Sequence, residues 1–199
     1  MRRILDTLTT PSCWPMAHRR VPPLAALFLA ATLVLCPGTA RAAPGDPNAA
    51  KADIVWNIAK FVTWPKAVMG PASAPLVVTI VGEDDLAVAL ATQLSEKSIN
   101  GRAMFVRFAR RAKDVRGSHL VYVAGSESGQ VAAILAELQG QPTLTVADIT
   151  GFAKSGGMVN FTQEAGRTRF QIHVARAEAA GLKVSSRLLS IAQVVTEAP

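Results

Sequence analysis

The sequence predicts an α/β protein: a single three-layer domain with a mixed, mostly parallel sheet, flanking helices and a C-terminal antiparallel hairpin. Three observations carry this expectation. Short, β-branched apolar runs at residues 76–81, 119–124 and 142–146 alternate with segments of helical period. The intervening segments are long enough for right-handed crossovers between parallel strands. Past Gly157 the rhythm breaks into two runs, 158–163 and 168–174, around Glu164-Ala165-Gly166-Arg167, which is the grammar of a hairpin.

The chain begins with a segment set apart from this domain. Arg2, Arg3, Arg19 and Arg20 precede an apolar run at 24–35, and Ala40-Arg41-Ala42 matches an A-x-A cleavage site. Residues 1–42 therefore read as a secretory signal peptide, cut near Ala42, and the expected location is the periplasm. The apolar run is too short to span a bilayer. Leu33-Val34-Leu35-Cys36 also has the outline of a lipoprotein signal, with bulky Leu35 where a small residue is expected, so a lipid anchor at Cys36 and soluble export both stay open. Arg19-Arg20 before Val21-Pro22-Pro23 fits a twin-arginine signal poorly. Both cysteines, Cys13 and Cys36, lie in the segment to be removed, so the exported product carries no thiol and no disulfide.

The net charge of +7, from 21 basic and 14 acidic residues in 199, invites a nucleic-acid reading. Five of those bases and one acid fall in residues 1–42, which leaves 16 bases, 13 acids and a net +3. Nucleic acid is not an expected partner of such a domain.

Residues 43–48 form a short lead, and the domain occupies 49–195. Asp46-Pro47 supplies an N-cap and a first-turn proline for a helix to about Val62. Ile54, Val55, Ile58, Phe61 and Val62 share its apolar side, Asp53, Asn57 and Lys60 its polar side, and Trp56 the border. Pro65 stops it, having no amide hydrogen to donate. The strand at 76–81 closes on Gly82. Asp84 and Asp85 then open a helix with Leu86, Leu90 and Leu94 at i, i+4 spacing. Asn100-Gly101 makes a tight turn into a strand at 104–108. A basic segment, 107–116, precedes the strand at 119–124. Residues 125–129 lead into a helix bearing Val131, Ile134, Leu135 and Leu138, followed by the strand at 142–146. After the hairpin come a helix at 175–180 ended by Gly181 and a last helix, capped by Ser185, that carries Leu188, Leu189, Ala192 and Val195.

Candidate functional residues fall into three groups. Trp56, Lys60, Trp64 and Pro65 form a candidate partner-binding edge, because aromatics bordering an amphipathic helix are enriched in interfaces; packing of Trp64 onto the sheet is the competing account. Gly125, Ser126, Asp148, Gly151 and Phe152 lie at or near strand ends where ligands collect in open α/β sheets, and His173 alternates with Arg169 and Gln171 on the face opposite Phe170, Ile172 and Val174, where it could line a polar pocket; together they define a candidate ligand crevice. Helix capping, a turn-forming Asp148 and a core Phe152 are the alternatives. Arg107, Arg110, Arg111, Lys113 and Arg116 suit an acidic partner face or lipid head groups, or else form a solvated connection. Glu83, Asp84 and Asp85 would repel a phosphate at the first strand-to-helix junction, which argues against a nucleotide cofactor there. No metal is expected, since neither His119 nor His173 has a ligand at metal spacing. No cofactor and no enzymatic activity are expected, because no nucleophile, base and orienting group can be named together.

Five blocks, in order, resemble the YfiR family of small exported bacterial proteins. They are Asn57-Ile58-Ala59-Lys60-Phe61-Val62-Thr63-Trp64-Pro65; Asn100-Gly101-Arg102; Ser118-His119-Leu120; Leu144-Thr145-Val146-Ala147-Asp148 with Gly151-Phe152 and Gly156-Gly157-Met158; and Ala180-Gly181-Leu182 with Ser185-Ser186-Arg187-Leu188-Leu189. The resemblance implies a periplasmic repressor that binds the outer domain of an inner-membrane diguanylate cyclase and lowers cyclic-di-GMP. Membrane contact would then run only through the partner, and a homodimer stays open. Ser118 stands where relatives often carry cysteine, and His173 where asparagine is common. The alternative function is a periplasmic small-molecule-sensing module serving a sensor histidine kinase or a transporter.

Overall fold

The computed structural model describes residues 46–196; the expected signal peptide with its expected cleavage site, both cysteines and residues 43–45 of the lead lie outside them. Asp46 caps α1 (Pro47–Lys60) by accepting from the Asn48 amide at 2.9 Å, and Pro47 sits in the first turn, where a missing N–H costs nothing. The helix ends two residues before the expected Val62. β1 (Val62–Thr63) leaves it to pair antiparallel with β9 (Lys183–Val184), and the Ser185 amide donates to Phe61 O at 3.0 Å. Long-range pairing thus ends the helix before Pro65 is reached. One further turn, α2 (Lys66–Met69), follows.

β2 (Leu76–Val81) matches the apolar run and is nearly all buried. Asp84 caps α3 (Asp85–Ser95), whose Leu86, Leu90 and Leu94 are buried. β3 (Ser98–Ile99) and β4 (Arg102–Ala109) form a hairpin on Asn100 and Gly101, with φ of 53° and 79°; two left-handed residues make the turn whose twist suits adjoining strands. A 3-10 turn at Ala112–Val115 leads to β5 (Leu120–Val123), and another at Gly125–Gln130 runs into α4 (Val131–Glu137) and then β6 (Leu144–Ala147). β7 (Val159–Glu164) and β8 (Arg167–Ile172) form the expected hairpin. α5 (Val174–Ala179), α6 (Ser186–Leu189) and β10 (Gln193–Val194) complete the domain.

The main sheet has eight strands in the order β10-β8-β7-β6-β5-β2-β4-β3. Pairing is parallel except between β7 and β8 and between β3 and β4. One face carries Val78, Ile80, Tyr122, Val146, Phe161 and Ile172 against α1, α3, α5 and α6. On the other, Val81, Val121, Val123 and Ala147 pack on Val115, Val131, Ile134, Leu138 and Phe152. The three layers and the mixed, mostly parallel sheet are those expected.

The C-terminus corrects the sequence reading. The expected last helix through Val195 stops at Leu189. Residues 193–194 run parallel to β8 instead, with the Val195 amide on Ile172 O at 2.8 Å. The exposed backbone edge of β8 offers these residues hydrogen bonds that a helical continuation would have to forgo. β10 therefore lies outside the hairpin at that edge of the sheet.

Candidate functional site

Three of the sequence blocks converge on residues 64–75. Arg102 Nη1 donates to Met69 O at 2.9 Å, Pro71 O at 2.6 Å and Ala74 O at 2.8 Å, so one guanidinium holds the whole bend. The Val77 amide donates to His119 Nδ1 at 2.9 Å, which leaves the ring proton on Nε2, 3.1 Å from Val68 O. Trp64 Nε1 donates to His119 O at 2.9 Å, and its ring meets the imidazole edge-on. Trp64, at 6% exposure, is a core residue and presents nothing to a partner, a correction to its place in the candidate edge. Pro65 is half-buried beside Gly181.

Trp56 and Lys60 do lie at the surface. The Trp56 ring has the Lys60 ammonium 4.3 Å from its centroid and the Lys97 ammonium 4.4 Å away, and its Nε1 donates to Ser98 O at 3.3 Å. Lys97 also reaches Asp53 at 3.3 Å. Lys97 went unnoticed in the sequence because its closeness to Trp56 is created only when α1 and α3 pack on the same sheet face. The result is a rigid, half-buried indole set in positive charge.

The carboxyl ends of β2 and β5 are where this topology would place a ligand, because α3 and α4 leave them toward opposite faces. Asp84 fills that place. Its Oδ1 accepts from the Ala87 amide at 2.6 Å, and its Oδ2 accepts from the Gly125 amide and from the Tyr122 hydroxyl, both at 2.9 Å. A carboxylate of the chain itself thus takes the amides that an incoming anion would need. Burial, then the Asp84 charge, pushes the Tyr122 hydroxyl above its ordinary value near 10. Ser126 Oγ accepts from the Glu83 amide at 3.1 Å, and Ser126 lines an open hollow with Gly82, Phe108 and Arg110.

The six residues of the candidate crevice do not come together. Gly125 and Ser126 belong to the junction just described. Asp148 and Gly151 line a separate cavity of about 530 Å³ with Asn160, Thr162 and Gln171, and Asp148 pairs with Lys51 at 2.6 Å. Thr162 Oγ1 itself is buried, with no hydrogen-bond partner. Phe152 is instead a core residue, and a Cβ at Gly157 would collide with its ring, which accounts for the glycine in Gly156-Gly157-Met158. His173, at 2% exposure, has left the strand alternation: β8 ends at Ile172, and the imidazole caps α5 by accepting from the Arg176 amide at 3.4 Å. Asparagine is among the other residues well suited to that task.

The basic segment is largely spoken for. Arg107 turns inward to Thr79 Oγ1 at 2.8 Å and Arg116 O at 2.7 Å; Arg116 pairs with Glu137 at 2.7 Å. Arg111 pairs with Asp114 at 3.0 Å and holds that carboxyl below the usual range. Ser118 is buried, donating to Val115 O at 2.6 Å. Among the described residues, no group of three or more His, Cys, Asp or Glu is placed to hold a metal ion, and no helix is long and apolar enough to cross a membrane.

The fold is similar to the crystal structure of a conserved domain protein from Vibrio cholerae O1 biovar El Tor, with a TM-score of 0.51 and 12% identity over 75% of this chain. The chain spans 60% of that protein's length, and the likeness is one of fold alone. A search of curated proteins finds no match. The YfiR/HmsC-like family model matches residues 48–193, nearly the whole folded domain, and all five sequence blocks fall within that match; the chain belongs to the YfiR/HmsC-like family.

Proposed function

We propose that this chain is a periplasmic regulatory protein that binds the outer domain of an inner-membrane diguanylate cyclase and represses it, lowering cyclic-di-GMP. Family membership supports a non-catalytic periplasmic regulator acting on a signalling partner. The observation that carries the protein-binding part is Trp56, at the surface with the Lys60 and Lys97 ammonium groups over its ring. A pre-ordered aromatic anchor with flanking cations gives contact area at little entropic cost, the usual make-up of an interface hot spot. Repression needs differential affinity: holding a cyclase down a hundredfold takes about 3 kcal/mol of preference for its inactive form. Such a preference is well within the reach of an interface of ordinary size.

Deleting the gene in a strain with an intact cyclase is expected to raise cyclic-di-GMP and surface attachment. A wild-type copy restores the low level, whereas a Trp56→Ala/Lys60→Ala copy, present at equal amount and equally folded, does not. Unchanged cyclic-di-GMP after deletion overturns the reading. A small-molecule-sensing role is favoured by one observation, the cavity of about 530 Å³ lined by Asp148, Asn160, Thr162 and Gln171. Thermal-shift screening with periplasmic metabolites tests that role, since a true ligand raises the melting temperature by mass action.

A further inference from the structure

We propose that the cavity at the carboxyl end of β6 binds a small, neutral, polyhydroxylated ligand, one hexose or hexitol in size. This rests on the small-molecule-sensing reading of that cavity, and adds which ligand class fits and which residues hold it.

β7 runs parallel to β6 and continues beyond it. Ala147, the last residue of β6, stands opposite Asn160, while Phe161 to Glu164 extend further beside β8. The chain leaving β6 turns back over the sheet face that carries Val123 and Ala147, and buries Phe152 there. Between this turn and the β7 and β8 hairpin lies the cavity of about 530 Å³, lined by Asp148, Gly151, Lys154, Asn160 and Gln171 among others. Its size is that of a small-molecule site.

Asn160 is a buried polar side chain of this cavity, at 3% exposure. Its Oδ1 accepts from the Ile149 amide at 3.2 Å, which fixes the orientation of the side chain and turns Nδ2 the other way. Among the described residues Nδ2 has no acceptor, and it is not sealed in as Thr162 Oγ1 is, so the open end of the amide faces the cavity. A donor so nearly buried and left without a partner is a cost that a ligand removes on binding. Gln171 lies directly across the β7 and β8 ladder from Asn160, and residues so paired share a face, so the two amides are neighbours. The Gln171 amide likewise makes no hydrogen bond among the described residues. Asp148 gives Oδ2 to the Lys51 ammonium at 2.6 Å and keeps Oδ1 open.

The open groups select the chemistry of the ligand. Asn160 brings a donor, Asp148 an acceptor and Gln171 both, which matches adjacent hydroxyl groups, since each of these donates one hydrogen bond and accepts others. An anionic group set among them would meet the Asp148 charge, and a cationic group would meet Lys51 and Lys154. Lys154 is exposed and keeps its own charge in water at the rim. An aromatic ligand finds no ring to stack on, because Phe161, the aromatic side chain among the lining residues, is 3% exposed.

The probes are D-glucose, D-galactose, D-mannose and sorbitol, with D-glucuronate and protonated D-glucosamine as charged controls. At least one neutral probe is expected to bind in calorimetric titration and to raise the melting temperature. Its addition should shift the side-chain amide resonances of Asn160 and Gln171, and both charged controls should bind at least tenfold more weakly. Asn160→Asp keeps an oxygen for the Ile149 amide but removes the donor, and should weaken binding at least tenfold. Gln171→Leu, a change of similar size, should do the same at an unaltered melting temperature, and decides the matter if Asn160→Asp disturbs folding. Binding by none of the neutral probes, equal binding by the charged controls, or full binding by the folded variants overturns the proposal. If other metabolites raise the melting temperature where no hexose or hexitol does, the ligand class fails while the sensing reading stands.

Discussion

The carboxyl-end junction of β2 and β5 and the outer edge of β4 make opposite use of the same resource, unpaired backbone groups. At the junction, Asp84 accepts from the Ala87 and Gly125 amides and from Tyr122, so the place where an open α/β sheet receives anions is already occupied. At the edge, the outward backbone groups of residues 105–109 find no strand partner among the described residues, and Phe105 and Phe108 are exposed there. The difference teaches that this domain satisfies from within the backbone amides at the β2–β5 junction and leaves backbone groups open at the rim of the sheet.

The sharpest way to break this comparison is to reopen the junction. Asp84→Ala strands the part-buried Ala87 amide and Tyr122 hydroxyl and the exposed Gly125 amide, and should cost about 3 kcal/mol of unfolding free energy in denaturant titrations, because a buried polar group left without a partner costs roughly 1–3 kcal/mol. A loss within error of zero would mean that Asp84 does not seal the junction. Arg102→Ala is expected to cost about 2 kcal/mol and to speed amide exchange across residues 66–75, since one guanidinium serves several carbonyls there. Unchanged exchange in that segment would show the bend to be self-supporting.

The smallest effect sharpens the electrostatics of the junction. The Tyr122 hydroxyl is raised by burial and by Asp84, so the folded chain keeps its proton where the unfolded chain begins to lose it, near pH 10. The stabilisation is therefore complete below about pH 10 and falls as pH rises beyond it. Melts of wild type and Tyr122→Phe should differ by about 1 kcal/mol between pH 7 and 9. Above pH 10 the wild type should lose stability more steeply; parallel curves to pH 11.5 would refute the assignment.

Much of the fold was legible because its signals are local. β2, α3 with its Asp84 cap, the Asn100-Gly101 turn and the β7 and β8 hairpin each carry their cause within a few residues. The two-residue strands β1, β9 and β10 were not, since each exists only because a distant strand offers it hydrogen bonds. The candidate site was read less well for the same reason. Trp56 and Lys60 are one helical turn apart and were visible together, whereas Lys97 joins them across a tertiary contact. His173 was placed by strand alternation that stops one residue earlier, and Phe152 lies in the core although it follows a strand's carboxyl end.

What the sequence by itself determined is the periodicity of its apolar residues, and with it the layers, most elements and the family, because burial of a repeating pattern is a local instruction. Which unpaired groups find partners was decided only by tertiary structure. Asp84 finds Gly125 and Arg102 finds the 69–74 carbonyls, while the outer side of residues 105–109 in β4 finds no strand partner among the described residues. Hydrogen bonds between groups far apart in the chain depend on where packing brings them, and no periodicity encodes that.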